Sequence, residues 1–186
     1  MDAQTALDHF IPNPDVRERH ETVVRAPAHV VMEVALRFNL QSLFLVRAIF
    51  WLRATALGAT QPAATVLGLD ALQSMGWGVL DEQQGRHFIA GATCRPWLAD
   101  VVFSPIPADQ FAGYREPDRV KIVWTLEAEP LGPDRARFTT ETRAVATDPQ
   151  ARARFSRYWR FARFGIVLIR VLLVSAIRRQ AERRWQ

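Results

Sequence analysis

Side chains able to do covalent or metal chemistry are few in this 186-residue chain, which has four histidines, His9, His20, His29 and His87, and one cysteine, Cys94. A hydrolytic triad brings a nucleophile, a base and an orienting carboxylate together. No G-x-S-x-G turn is present to expose a serine, and the histidines fall into no spacing that names a partner. Neither H-E-x-x-H nor C-x-x-C occurs. Four-coordinate zinc sites draw on several Cys and His at set spacing, so no metal is expected. Cys94 sits in a run that alternates like a strand and reads as a small buried apolar residue, with a reactive thiol as the alternative. One cysteine excludes an intramolecular disulfide and suits a reducing compartment.

Charge is more informative than nucleophiles. The net charge is +5, and residues 151–186 hold ten arginines and one glutamate, a balance of +9 that leaves −4 for residues 1–150. Asp148 and Pro149 supply an N-cap and a first-turn proline for a helix over 148–184. At 100° per residue, Phe155, Tyr158, Ala162, Gly165, Ile166, Ile169, Leu172, Leu173 and Ala176 share a broad apolar face. Arg152, Arg157, Arg160, Arg163, Arg170 and Arg178 are read on the opposite, solvated face. Despite a pI near 10.5, basic residues and exposed aromatics are not interleaved as a nucleic-acid surface requires, so nucleic acid is not expected. An anionic membrane surface stays open as a partner, because Arg178, Arg179, Arg183 and Arg184 cluster after the apolar stretch.

The apolar stretches Leu43 to Leu57 and Phe164 to Ile177 are too short for a bilayer and are interrupted by Arg47, Arg53 and Arg170. The N-terminus has no basic segment ahead of an apolar run, so a secretory signal is not expected and a cytoplasmic location is. With 49% hydrophobic residues and no visible boundary, 1–186 reads as one domain, with 1–15 as an N-terminal extension.

Val16 to Arg25 alternates as a strand, with His20, Thr22 and Val24 on one face, and ends at Ala26-Pro27. A helix begins near Pro27, and a second helical stretch runs from about Ser42 to Leu57, where Gly58 closes it. One or two helical turns are expected over Leu67 to Met75. From Gly76 the period becomes two. Trp77 to Glu82 and Arg86 to Cys94 make a hairpin, Trp97 to Ser104 a further strand, and Pro107 to Tyr114 a short helix. Val120, Ile122, Trp124, Leu126 and Ala128 then alternate with charged residues, and so do Ala136, Phe138, Thr140, Thr142 and Ala144 after a turn at Pro130 to Asp134. One face of this sheet is expected in solvent and the other against the helices, an α+β architecture with two helices between the first and second strands.

The passage Val23-Val24-Arg25-Ala26-Pro27-Ala28-His29-Val30-Val31 resembles the V-x-A-P-x-x-V opening of the START-like, SRPBCC superfamily. Met75-Gly76-Trp77, Val123-Trp124, Thr139-Thr140-Glu141-Thr142-Arg143, Arg157-Tyr158-Trp159-Arg160 and Ile169-Arg170 are similar to an uncharacterised bacterial branch of it. The resemblance covers roughly residues 16–184 and implies the helix-grip fold, a curved antiparallel sheet wrapped around the long C-terminal helix with a cavity between them for apolar ligands. Under it, Trp124, Phe138, Phe155, Trp159 and Ile169 offer apolar walls. Ala162, Gly165 and Ile166 leave space, and His20, Thr140 and Thr142 orient a ligand carbonyl or hydroxyl or bond within the core. The implied function is binding of a hydrophobic small molecule (lipid, isoprenoid or polyketide-like), without cofactor. The alternatives are a cyclase or dehydratase of the polyketide type in the same cavity and a peripheral membrane or partner-binding protein acting through the arginine-rich helix.

Overall fold

The computed structural model describes residues 3–39, 58 and 76–186. In chain order the elements are α1 (Ala3–Phe10), β1 (Val16–Val24), α2 (Ala28–Arg37), β2 (Gly78–Gln83), β3 (His87–Cys94), α3 (Ala108–Phe111), β4 (Val120–Gly132), β5 (Arg135–Ala146) and α4 (Pro149–Trp185). The second helical stretch expected from Ser42 to Leu57 and the turns expected over Leu67 to Met75 lie outside the described residues.

The five strands form one antiparallel sheet in the order β1-β5-β4-β3-β2. Its register carries out the alternation of the sequence. Trp124 lies opposite Thr142, Leu126 opposite Thr140 and His20 opposite Thr140, so β1, β4 and β5 point these side chains to the same face. On that inner face lie α2 and α4. Val30, Val31, Val34 and Ala35 of α2 and Leu173, Val174 and Ile177 of α4 are buried with Phe88, Leu126 and Phe138 in the main core. Asp148 caps α4 as expected, its Oδ1 accepting from the backbone N–H of Ala151 at 2.8 Å.

The other face is not the solvent-facing one that the alternation predicts. Helix α1, with Leu7, Phe10 and the following Ile11, packs over it together with Leu80, Ile89, Ile106, Phe111 and Val123. Burying three such side chains contributes roughly 1.5–3 kcal/mol each. The polar residues of this face are therefore enclosed as well. Arg143 donates to Glu141 Oε1 at 2.7 Å, to Asp8 Oδ1 at 2.6 Å and to the carbonyl of Ile11 at 3.0 Å. Lys121 donates from Nζ to the carbonyls of Phe111 and Ala112, each at 3.1 Å. Charged residues alternate here because they pair under a lid, not because they meet water.

The strand expected over Trp97 to Ser104 does not form. Strand β2 stops pairing with β3 at Gly91, which leaves the edge at Thr93 free for one bridge, and Ser104 fills it with two 2.9 Å backbone hydrogen bonds. Pro96 on one side and Pro105 and Pro107 on the other stop the pairing from spreading. Among the described residues no helix is long and apolar enough to cross a membrane; Leu43 to Leu57 lies outside them.

Candidate functional site

Helix α4 meets the sheet at two places. Near its start Phe155 packs with Val120 and Ala144, with Tyr158 and Trp159 beside them; the Phe155 and Trp159 rings are 6.0 Å apart. In its second half Leu173, Val174 and Ile177 enter the main core. Between these anchors no residue from Ser156 to Ile169 is buried, and Ala162, Gly165, Ile166 and Ile169 are half-buried. The seam between α4 and the inner sheet face is therefore bounded at both ends by packed side chains, with half-buried residues of α4 between them.

A polar cluster stands at the inner end of this seam. Thr140 is fully buried; its hydroxyl donates to the carbonyl of Thr125 at 2.8 Å and accepts from Trp124 Nε1 at 3.0 Å and from Arg170 Nη1 at 3.3 Å. Arg170 Nη2 donates to the Thr142 hydroxyl. His20 lies beside Thr140 on the neighbouring strand. Two nitrogens of the cluster, Arg170 Nε and His20 Nε2, are buried without a hydrogen-bond partner. Such orphans are uncommon, because a buried polar atom left unpaired costs about 1–3 kcal/mol.

Arg170 is thus not on the solvated face where the helical wheel was divided. It precedes Leu173, Val174 and Ile177 by three, four and seven residues, the spacing that stacks side chains on one helical face, and it is only 8% exposed. That spacing was the available signal, and the charge of the residue masked it. Burial pushes the Arg170 guanidinium down to about 10, with Glu18 and Glu141 partly opposing. Burial also lowers His20, and the Arg170 charge adds to this, against a smaller opposing effect of Glu18. At neutral pH the cluster therefore presents a cation beside a neutral imidazole.

The structure brings together His20, Trp124, Thr140 and Thr142, and joins Arg170 to them. It sets Phe155 and Trp159 apart, at the other anchor, and seals Phe138 in the main core at 0% exposure. Ile169 packs on the edge of that core, and Ala162, Gly165 and Ile166 lie along the helix between the anchors. Cys94 is buried, as expected of an apolar residue. His87 meets Asp81 at 2.9 Å on the outer face, far from the seam. An open depression lined by Val23, Arg25, Asp134, Arg135 and Arg178 lies elsewhere, at the C-terminal end of β1 and the turn between β4 and β5.

The arginines at the end of α4 are divided in their bonding. Arg178 pairs with Glu182 at 3.2 Å and Arg184 with Glu33 at 2.8 Å. The helix also carries exposed large apolar residues, Phe161, Phe164, Leu168 and Val171 along its middle and Trp185 at its end, with Phe161 at 78% exposure. Phe161 and Phe164 thus stand exposed among arginines, with Arg163 over the Phe164 ring, where the sequence predicts no interleaving of basic residues with exposed aromatics.

No protein-family model matches the chain, and no curated protein matches it. Among solved structures, the chain is similar to an aromatase/cyclase from Streptomyces sp. R1128 at 13% identity, with 92% of this chain and 96% of that one covered and a TM-score of 0.31. It is also similar to a hypothetical protein from Helicobacter pylori at 10% identity, with 94% of this chain and 93% of that one covered and a TM-score of 0.42. Neither likeness extends to a ligand or a reaction.

Proposed function

We propose that this protein binds a hydrophobic small molecule, such as a lipid, an isoprenoid or a polyketide-like compound, in the seam between the inner sheet face and α4. The observation that carries the reading is the pair of buried, unpartnered nitrogens, Arg170 Nε and His20 Nε2, at one end of a seam along which Ala162, Gly165, Ile166 and Ile169 lie. A site of this kind buries the body of a ligand against apolar walls and orients it with a few polar groups. Phe155 and Trp159 bound the far end, Ala162, Gly165, Ile166 and Ile169 flank the length, and Thr140, Thr142, His20 and Trp124 surround the polar end. The test is native mass spectrometry of the purified protein, followed by titration with a fluorescent apolar probe. An adduct, or probe binding that Gly165→Leu abolishes in a folded variant, supports the reading. Protein that is empty and ignores the probe overturns it.

A second reading rests on α4. Phe161, Phe164, Leu168 and Val171 lie within one narrow helical stripe, and Arg157 and Arg179 extend that stripe on either side. An exposed apolar stripe with flanking arginines suits the interface of an anionic bilayer, where each basic residue contributes about 1 kcal/mol. Co-sedimentation with phosphatidylserine vesicles tests it. Binding that weakens in high salt and is lost in Phe161→Ser/Phe164→Ser supports a membrane surface; no binding at low salt removes it.

A further inference from the structure

Two buried arginines sit back to back across β5, and they are partnered in opposite ways. On the outer face Arg143 holds two carboxylates, Glu141 and Asp8, and a backbone carbonyl. On the inner face, among the described residues, Arg170 holds the hydroxyls of Thr140 and Thr142 alone, and its Nε has no hydrogen-bond partner. A guanidinium taken out of water is stable when its charge is matched and its fork of donors is filled. Neutral hydroxyls fill part of the fork, and Glu18 and Glu141 offset the charge only from beyond ion-pair distance.

We propose that the ligand of the seam carries a carboxylate, and that Arg170 and His20 receive it; this rests on the hydrophobic-ligand reading above. The free Nε is the corner of the guanidinium not committed to threonine, and a carboxylate oxygen there makes a charge-assisted bond. The second oxygen accepts from His20 Nε2, which a neutral imidazole can protonate at that nitrogen. The ligand is then an amphipathic acid, apolar along α4 and anionic at the inner end.

The charged groups around the cluster support this choice. Glu18 shares the inner face of β1 with His20 and lies opposite Thr142 in register, yet it makes no ion pair with Arg170 within 4.0 Å. Glu141 is on the other side of the sheet, bound to Arg17 at 2.8 Å and Arg143 at 2.7 Å. Among the described residues no carboxylate pairs with the guanidinium, and its Nε is left for one from outside.

Dodecanoate and 1-dodecanol share an apolar chain and differ in the head, so their dissociation constants for the full chain are the measurement. The wild type is expected to prefer dodecanoate by about tenfold or more. Arg170→Gln should bring the two to within about twofold. If that variant does not fold, His20→Phe is used, and the same preference is expected to shrink. The wild type supplies an independent readout by NMR: the His20 pKa should rise on adding dodecanoate, because the anion screens Arg170 and accepts from the ring, and should not rise with dodecanol. Equal affinity for acid and alcohol in the wild type, or an unmoved His20, overturns the carboxylate and leaves hydrophobic binding standing. Binding of neither compound overturns both.

Discussion

Replacing Arg143 with methionine should cost the protein about 3–5 kcal/mol, the range for stranding one member of a buried ion pair. Arg143 and Glu141 are each only 2% exposed at the side chain and meet at 2.7 Å. The substitution removes that bond, the 2.6 Å contact to Asp8 and the 3.0 Å bond to the carbonyl of Ile11. Hydrogen bonds to charged groups contribute about 1.5–3 kcal/mol each, but the three do not add, because Asp8 is 58% exposed and returns to water. Glu141 keeps Arg17 at 2.8 Å, which holds the loss below that of a bare buried charge. The double variant Glu141→Leu/Arg143→Met removes both charges and should lie within about 1–2 kcal/mol of the wild type, since a well-packed apolar pair is often as stable as the ion pair it replaces. Urea unfolding of the four proteins of the cycle, fitted with a common slope, measures the coupling. A loss below about 1 kcal/mol in Arg143→Met, or a double variant as unstable as the sum of the singles, would refute the view that a matched buried charge pair joins α1 to the sheet.

Thr140→Val should lower stability by about 2–4 kcal/mol in urea unfolding, since it strands Trp124 Nε1 and the Thr125 carbonyl, while Thr140→Ser should be nearly neutral. Lys121 is the single lysine of the chain, and burial first, then Arg115, push it from 10.5 down to about 8. Its unfolded form binds the extra proton between those values, so its penalty is fully present below pH 8 and stability should rise with pH from about 8 to 10.5. The wild-type slope minus that of Lys121→Met, by thermal unfolding across this window, should be positive and total on the order of 1–3 kcal/mol; a zero difference contradicts the buried ammonium. Gly76→Ala should cost more than about 2 kcal/mol, because the residue sits at φ +87 and a Cβ would run into the backbone carbonyl of Phe103. A melting temperature equal to the wild type's would remove that constraint.

Much of the architecture is local and was therefore legible. The period-two runs around Trp124 and Thr140 specify strands and their inner face, because a slip of one residue would turn every apolar side chain outward. Asp148 and Pro149 mark the start of α4 through bonds that reach only three residues along the chain. Four of the residues predicted to surround a ligand, His20, Trp124, Thr140 and Thr142, come together because their alternation places them on one face and the register sets them side by side. The separation of Phe138 from Phe155 and Trp159 was not legible, since all three are apolar and inward-facing, and only the two-point docking of α4 assigns them to different clusters.

The sequence by itself determined the periods, the caps, the order of elements and the face each strand offers to the helices, all of which follow from steric and hydrogen-bonding preferences within a few residues. Only the tertiary structure decided what covers each face. Helices α1 and α3 close the outer face and convert a stripe of Lys121, Glu141 and Arg143 from an expected solvent surface into a buried set, Arg143 through contacts to Asp8 and Ile11 more than 130 residues away and Lys121 through the carbonyls of Phe111 and Ala112. Docking of α4 likewise turns Arg170 inward onto Thr140 and Thr142. A charged residue at a core-facing position has two physical solutions, water or a buried partner, and the choice depends on groups that meet it only after folding.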